Sequence, residues 1–263
     1  MLYYLLYPQV NVIQYITFRT AAAGLTAFVI SLVMGPWLIR VLRDFQIGQV
    51  VRDELSETHQ SKAGTPTMGG VLILTAATVP TLVWGDLTNL HLWIAMLATL
   101  AFGTVGFVDD YLKVVRKNHT GLRPLYKVIG QGIVAMAVGI ALLWLTDNGL
   151  YNTELLFPFL KTLTPDIGWL YVPFAMFGLI FFSNAVNLTD GLDGLAISVF
   201  TVAAAALTAL AYVTGHAIFA DYLLLTHFAP AAELTVFCGA LVGAGLGFLW
   251  SVSYTHLTLP TKA

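Results

Sequence analysis

The run Leu90-His91-Leu92-Trp93-Ile94-Ala95-Met96-Leu97-Ala98-Thr99-Leu100-Ala101-Phe102-Gly103-Thr104-Val105-Gly106-Phe107-Val108-Asp109-Asp110 decides the fold. It is about as long as a bilayer-spanning helix, about 20 residues, and almost wholly apolar. It then ends on two adjacent aspartates. Carboxylates at a membrane edge are costly unless hydrated, paired or bound to a cation. The stretch therefore announces both a membrane helix and a candidate site at its end.

Working outward, the rest of the chain has the same character. Of 263 residues, 58% are hydrophobic and only 10% charged, and the mean hydropathy is +0.80. A soluble domain carries about a quarter charged residues. The composition predicts an all-α, polytopic transmembrane bundle. Seven spans are expected, near 19–42, 68–85, 90–110, 127–146, 168–185, 193–214 and 233–250. The opening Met1-Leu2-Tyr3-Tyr4-Leu5-Leu6 lacks a basic start and meets Pro8, so it reads as an interfacial segment and not a cleaved signal peptide. A net charge of -2 gives no nucleic-acid signal. The single cysteine, Cys238, lies in an apolar run and reads as a small buried hydrophobe.

Loop charges orient the bundle. Arg40, Arg43, Arg52 and Lys62 follow the first span; Lys113, Arg116, Lys117, Arg123 and Lys127 follow the third. The alternate loops, near 86–90, 147–167 and 215–232, hold only Lys161 among Lys and Arg. The positive-inside rule makes the two basic loops cytoplasmic and puts the N-terminus outside. Glycines at 239, 243, 245 and 247 mark the last span as a packing helix.

Three polar segments fall on the predicted cytoplasmic face. Asp109 and Asp110, being neighbours, would point about 100° apart on a helix. One could face a cleft while the other reaches a cation or solvent. Two close carboxylates raise each other's pKa unless a cation intervenes, and a divalent metal or the nearby lysines would supply it. In Asn184-Ala185-Val186-Asn187-Leu188-Thr189-Asp190-Gly191-Leu192-Asp193-Gly194, the residues Asn187, Asp190 and Asp193 recur every three positions. Gly191 and Gly194 favour a tight loop there over a regular helix. Mg²⁺, a hard ion, suits a few carboxylates with phosphate oxygens. Lys62-Ala63-Gly64-Thr65-Pro66-Thr67-Met68-Gly69-Gly70 opens the second span, where free backbone N–H groups suit phosphate. Plainer readings stay open for each: a solvated helix end, an Asx-capped turn, an ordinary helix start. The six histidines are scattered without metal-ligand spacing. Together, carboxylates, lysines and a phosphate seat on one membrane face suit a metal-assisted transfer at a phosphate or pyrophosphate. A transporter with an acidic cation site is the rival of another class; it would place its charges at midplane within paired repeats.

Gly64-Thr65-Pro66-Thr67-Met68-Gly69-Gly70, Phe107-Val108-Asp109-Asp110-Tyr111 with its Lys113-Val114-Val115-Arg116-Lys117 continuation, the Asn184–Ala196 segment and Gly243–Trp250 resemble the phospho-N-acetylmuramoyl-pentapeptide transferases. These belong to the polyprenyl-phosphate sugar-1-phosphate transferase superfamily. A UDP-N-acetylglucosamine phosphotransferase is the alternative within it. The resemblance implies transfer of phospho-N-acetylmuramoyl-pentapeptide from its UDP derivative to undecaprenyl phosphate. Lipid I and UMP would be the products, Mg²⁺ the cofactor, and peptidoglycan synthesis the process. It implies catalytic roles for Asp109 and Asp110, by direct attack of the lipid phosphate or through a covalent enzyme intermediate. Lys62, Thr67, Asn187, Asp190 and Asp193 would line the nucleotide-sugar pocket, and Lys113 and Lys127 would meet phosphates. Asp109, Asp110 and Asp190 are the implied metal ligands. Membrane lipid and a second copy of the chain, as a homodimer, are implied partners, in the bacterial inner membrane. After Trp250 the likeness stops. The family has about ten helices, a later Met-Gly-Asp-x-Gly-Ser segment bearing a principal magnesium ligand, and a His-rich loop. Residues 251–263 read as a foreign end on a truncated coding sequence, leaving 1–250 as an incomplete transferase domain expected to be inactive; a genuine short homologue is the other reading.

Overall fold

The computed structural model describes residues 3, 10–46, 69–115, 121–157, 163–189 and 194–257. The chain divides into two compact units, Met1–Gly121 with Gly191–Ala263, and Leu122–Asp190. Both are helical. Among the described residues the only β pairing is an isolated antiparallel bridge between Glu154 and Asp166.

The first unit holds α1 (Ile16–Gln46), α2 (Gly70–Trp84) and α3 (Leu90–Val115) from the first part of the chain; the second unit holds α4 (Pro124–Asp147) and α5 (Tyr171–Thr189). The chain then returns to the first unit with α6 (Leu195–Gly215), the short α7 (Ala217–Tyr222) and α8 (Ala231–Leu257). Six described helices are long and apolar enough to cross a membrane: all but α2 and α7. The protein is a multi-pass membrane protein. The second expected span differs: α2 is described as 15 residues, about 22 Å at 1.5 Å per residue, against about 30 Å of hydrocarbon. Its C-terminal end is fixed at Gly85, whose backbone turns extended and whose N–H bonds the Thr81 carbonyl. Upstream of Gly69 the predicted span falls outside the described residues.

Small residues let the backbones of α1 and α8 approach. A Cβ added at Gly239 would stand 2.6 Å from Thr20 Cγ2, at Gly243 2.0 Å from the Gly24 carbonyl oxygen, and at Gly247 2.4 Å from Ser31 Cβ. Spacing of four puts these glycines on one helical face. The matching order of partners (20, 24, 31) means that α1 and α8 run parallel. Gly245, on another face of α8, meets Thr201 of α6. The core is accordingly built from small side chains: Ala23, Ala27, Ala76, Ala77, Ala240 and Ala244, with Val236. In lipid, where apolar burial gives little drive, such close van der Waals contact holds helices together. The opposite faces, with Leu25, Val33 and Val202 exposed, suit lipid. Cys238 packs beside the Leu92–Met96–Phe237 cluster, as a small hydrophobe should.

One end of this unit is closed by charge. Arg19, 3% exposed, donates from Nη1 to Glu233 Oε2 at 2.8 Å and from Nη2 to Oε1 at 2.6 Å. The Asp86 backbone N–H adds a third bond to Glu233 at 3.0 Å. The opposite end gathers the start of α2, with Gly69 against Phe248, and Gly194 against Leu249. Gly103 of α3 lies against Leu74 near the start of α2, and Gly85 against Leu92, so α3 is antiparallel to α2. Its last turns therefore belong to that opposite end.

In the second unit, α4 and α5 pair antiparallel, with Gly139 against Val172. Pro124 opens α4, where its missing N–H costs nothing.

Candidate active site

The last turns of α3 carry the first acidic motif. Asp109 is 8% exposed; Asp110 is half-buried. Lys113 Nζ stands 2.9 Å from Asp109 Oδ2 and 2.9 Å from Asp110 Oδ1. Helix geometry explains how one ammonium serves both. At 100° per residue, Asp110 lies 100° round from Asp109, and Lys113 about 40° round, between them. The two carboxylates share one cation, Lys113, supplied by their own helix. Asp110 uses only Oδ1 in the pair, leaving Oδ2 for another ligand. On the far side of α3, Phe107 and Tyr111 stack at 6.1 Å, both exposed, as aromatic side chains do at a membrane interface.

Gly121 reaches this cluster from the chain beyond it. Its backbone is left-handed, φ +54°, and a Cβ there would lie 2.5 Å from Asp109 Oδ1 and 2.7 Å from Lys113 Cε.

Lys127 and Asn187 are placed in the second unit. Lys127 is half-buried in the first turn of α4, and Asn187 exposed in the last turn of α5, at the same end of that antiparallel pair. One turn inward lies a buried amide network that sequence reasoning missed. Gln131, 3% exposed, accepts from Asn184 Nδ2 at 2.8 Å and donates to Ser183 Oγ at 3.2 Å. Its signal in the sequence was a lone amide within the apolar run 128–145. An amide inside a membrane segment needs a partner on a neighbouring helix. Of the second acidic motif, Asn184–Thr189 close α5 and Gly194, left-handed at φ +84°, precedes α6; residues 190–193, where the tight loop was expected, lie outside the described residues. Asp190, Asp193, Lys62 and Thr67 lie outside the described residues. Thus Asp109, Asp110 and Lys113 are seen together; Lys127 and Asn187 belong to the second unit, and the other four predicted positions lie outside the described residues. Among the described residues no group of three or more His, Cys, Asp or Glu could hold a metal.

Fold and site define a polytopic helical membrane protein with a carboxylate–ammonium cluster at one end of its bundle. The sequence model of glycosyl transferase family 4 matches residues 92–252, and signature 1 of phospho-N-acetylmuramoyl-pentapeptide-transferase matches residues 62–74. A phospho-N-acetylmuramoyl-pentapeptide-transferase of Koribacter versatilis is 50% identical over 274 residues, covering 95% of this chain and 72% of the relative. Those of Solidesulfovibrio magneticus and Maridesulfovibrio salexigens are 52% and 49% identical, each over 97% of this chain and 72% of the relative. The chain belongs to the phospho-N-acetylmuramoyl-pentapeptide-transferase family, within glycosyl transferase family 4.

Proposed function

We propose that this protein transfers phospho-N-acetylmuramoyl-pentapeptide from its UDP derivative to undecaprenyl phosphate. An oxygen of the lipid phosphate attacks the sugar-bearing phosphorus, the bond to the uridylate phosphate breaks, and UMP leaves. Lipid I is the other product. The observation that carries the reading is the shared Lys113 bridge between Asp109 and Asp110, inside the segment that matches the family model.

The cluster has two properties such chemistry needs. Asp109 is held by packing and by Lys113, so a proton or phosphate beside it meets a carboxylate of fixed position. Lys113 is a third exposed, so its ammonium can turn from the carboxylates to a phosphate oxygen as charge builds there. Asn187, Asp190, Asp193, Lys62 and Thr67 are proposed for the nucleotide sugar, and Lys127 for phosphate.

Magnesium is the proposed cofactor. The hard oxygens of Asp109 and Asp110, with Oδ2 of Asp110 outside the lysine pair, fit such an ion, and Asp190 is the proposed third ligand. When bound, the ion would offset charge on the phosphate oxygens. The cluster end is proposed to be cytoplasmic, with the N-terminus and the Arg19–Glu233 end outside. A homodimer in the bacterial inner membrane is the proposed assembly, checked by particle mass in detergent.

The purified chain should bind UDP-N-acetylmuramoyl-pentapeptide and ignore UDP-N-acetylglucosamine. With undecaprenyl phosphate and Mg²⁺, UMP release dependent on Asp110 would support the transferase reading and overturn the expectation that residues 1–250 are inactive alone. Equal competition by UDP-N-acetylglucosamine would replace this substrate by that of the alternative transferase.

A further inference from the structure

We infer that Gly121 is a positioning residue for the Asp109–Lys113–Asp110 cluster, acting through the space its missing side chain leaves. The inference rests on the transferase reading for the importance of the cluster, but the geometry stands by itself.

Two observations meet at this residue. Its φ of +54° is a conformation that glycine adopts freely and other residues do not, Asn and Asp excepted in part. A Cβ at this position would come within 2.5 Å of Asp109 Oδ1, 2.7 Å of Lys113 Cε and 2.9 Å of Lys113 Cγ. The Gly121 backbone thus lies on the carboxylate oxygen that Lys113 Nζ does not use and on the lysine stem. This contact helps bury Asp109, although it sits near a helix end. The atoms in the way of a new methyl group are the ends of two flexible side chains. The molecule would relieve such a clash by moving Asp109 and Lys113, while the helices stay in place. A substitution at Gly121 therefore acts on the site before it acts on the fold.

The two roles of Gly121, backbone conformation and vacant space, separate in a pair of variants. Gly121→Ala offends both. Gly121→Asn tolerates the left-handed backbone but still adds a Cβ. The full chain in detergent is pulsed with an amine-acetylating reagent, and the modification of Lys113 is read by mass spectrometry relative to Lys127. Both variants are expected to acetylate several-fold faster at Lys113, with Lys127 unchanged. UMP release is expected to lose kcat with KM for the UDP substrate retained. Unchanged Lys113 reactivity, or full recovery with Asn, would overturn the inference by reducing Gly121 to a backbone requirement. Faster acetylation with kcat unaltered would overturn its bearing on the reaction. If Lys113 responds and no version of the chain binds UDP-N-acetylmuramoyl-pentapeptide, the positioning holds and the transferase reading fails. Should either variant not fold, Lys113→Met gives the reciprocal measurement: hydrogen exchange of the peptide containing Gly121 should speed up several-fold, and an unchanged rate would refute the contact.

Discussion

The first unit holds a charged cluster at each end, and the two are built to opposite plans. At one end Arg19 meets Glu233 through two side-chain bonds, with the Asp86 N–H and, at 3.4 Å, the Trp84 carbonyl also engaged. One positive charge faces one negative charge, and both are buried. At the other end one ammonium serves two carboxylates, and Lys113 and Asp110 are each a third exposed. Balanced and sealed charge has nothing left to offer a ligand. Accessible charge does. The contrast separates a clamp from a site without any appeal to which residues are acidic.

The largest expected effect comes from breaking the clamp. Glu233→Ala leaves a guanidinium buried with no counter-charge, and loss of one partner of such a pair typically costs about 3–5 kcal/mol. Unfolding of the variant in mixed micelles should show a loss of that order. Arg19→Met combined with Glu233→Leu should recover most of it, because the desolvation of both ions then disappears. A double variant as unstable as Glu233→Ala would mean that the pair does more than balance charge.

Lys113→Met sharpens the comparison from the other side. An ion pair this exposed contributes about 0–1 kcal/mol, so stability should scarcely move. The two carboxylates would then repel each other unless a cation joins them. Mg²⁺ is expected to raise the melting temperature of this variant more than that of the parent chain. UMP release should fall by about 10²–10³-fold, the usual consequence of removing one group that stabilises developing charge. Destabilisation matching that of Glu233→Ala would erase the distinction between clamp and site.

How far these two ends could be foreseen depends on the range of the signal. The spans were legible because membrane burial writes itself into local composition, and the run ending at Asp109 shows it without help from tertiary structure. The packing role of Gly239, Gly243, Gly245 and Gly247 was legible too, as small residues on an apolar helix. Their partners were not. That Gly243 faces Gly24 requires α1 and α8 to lie parallel, and the two glycines stand 219 positions apart in the chain. The same distance hid Arg19–Glu233: each charge alone looks like a residue at a span's edge. Within the site, the Lys113 bridge could have been read from spacings of three and four on one helix. The approach of Gly121 could not, because a left-handed glycine after a helix marks a turn without saying what the turn rests on. The second span was legible at its end: the expected 68–85 and α2 both stop at Gly85, where Asp86, Thr88 and Asn89 break the apolar run.

A fourth carboxylate, in the second unit, supplies the smallest effect and a further contrast. Asp166 is exposed and, among the described residues, bonded by neutral donors, the Thr153 hydroxyl and the Gly168 N–H at 2.9 Å. The Thr153 hydrogen bond first, then the Gly168 N–H, hold its carboxyl below the ordinary value of 3.8. A lowered folded pKa means stabilisation that is fully present above the unfolded value and is lost as pH falls through the folded one. The bridge between Glu154 and Asp166 should therefore stay intact from neutrality down to about pH 5 and loosen only below about pH 4, near the unperturbed aspartate range. The probes are the amide protons of Leu155 and Ile167, which bond the Pro165 and Thr153 carbonyls. Their exchange should show an acid-dependent loss of protection that Asp166→Asn abolishes. Loss of protection already at pH 6 would mean that some other group titrates the bridge, and that neutral donors alone do not hold this carboxylate.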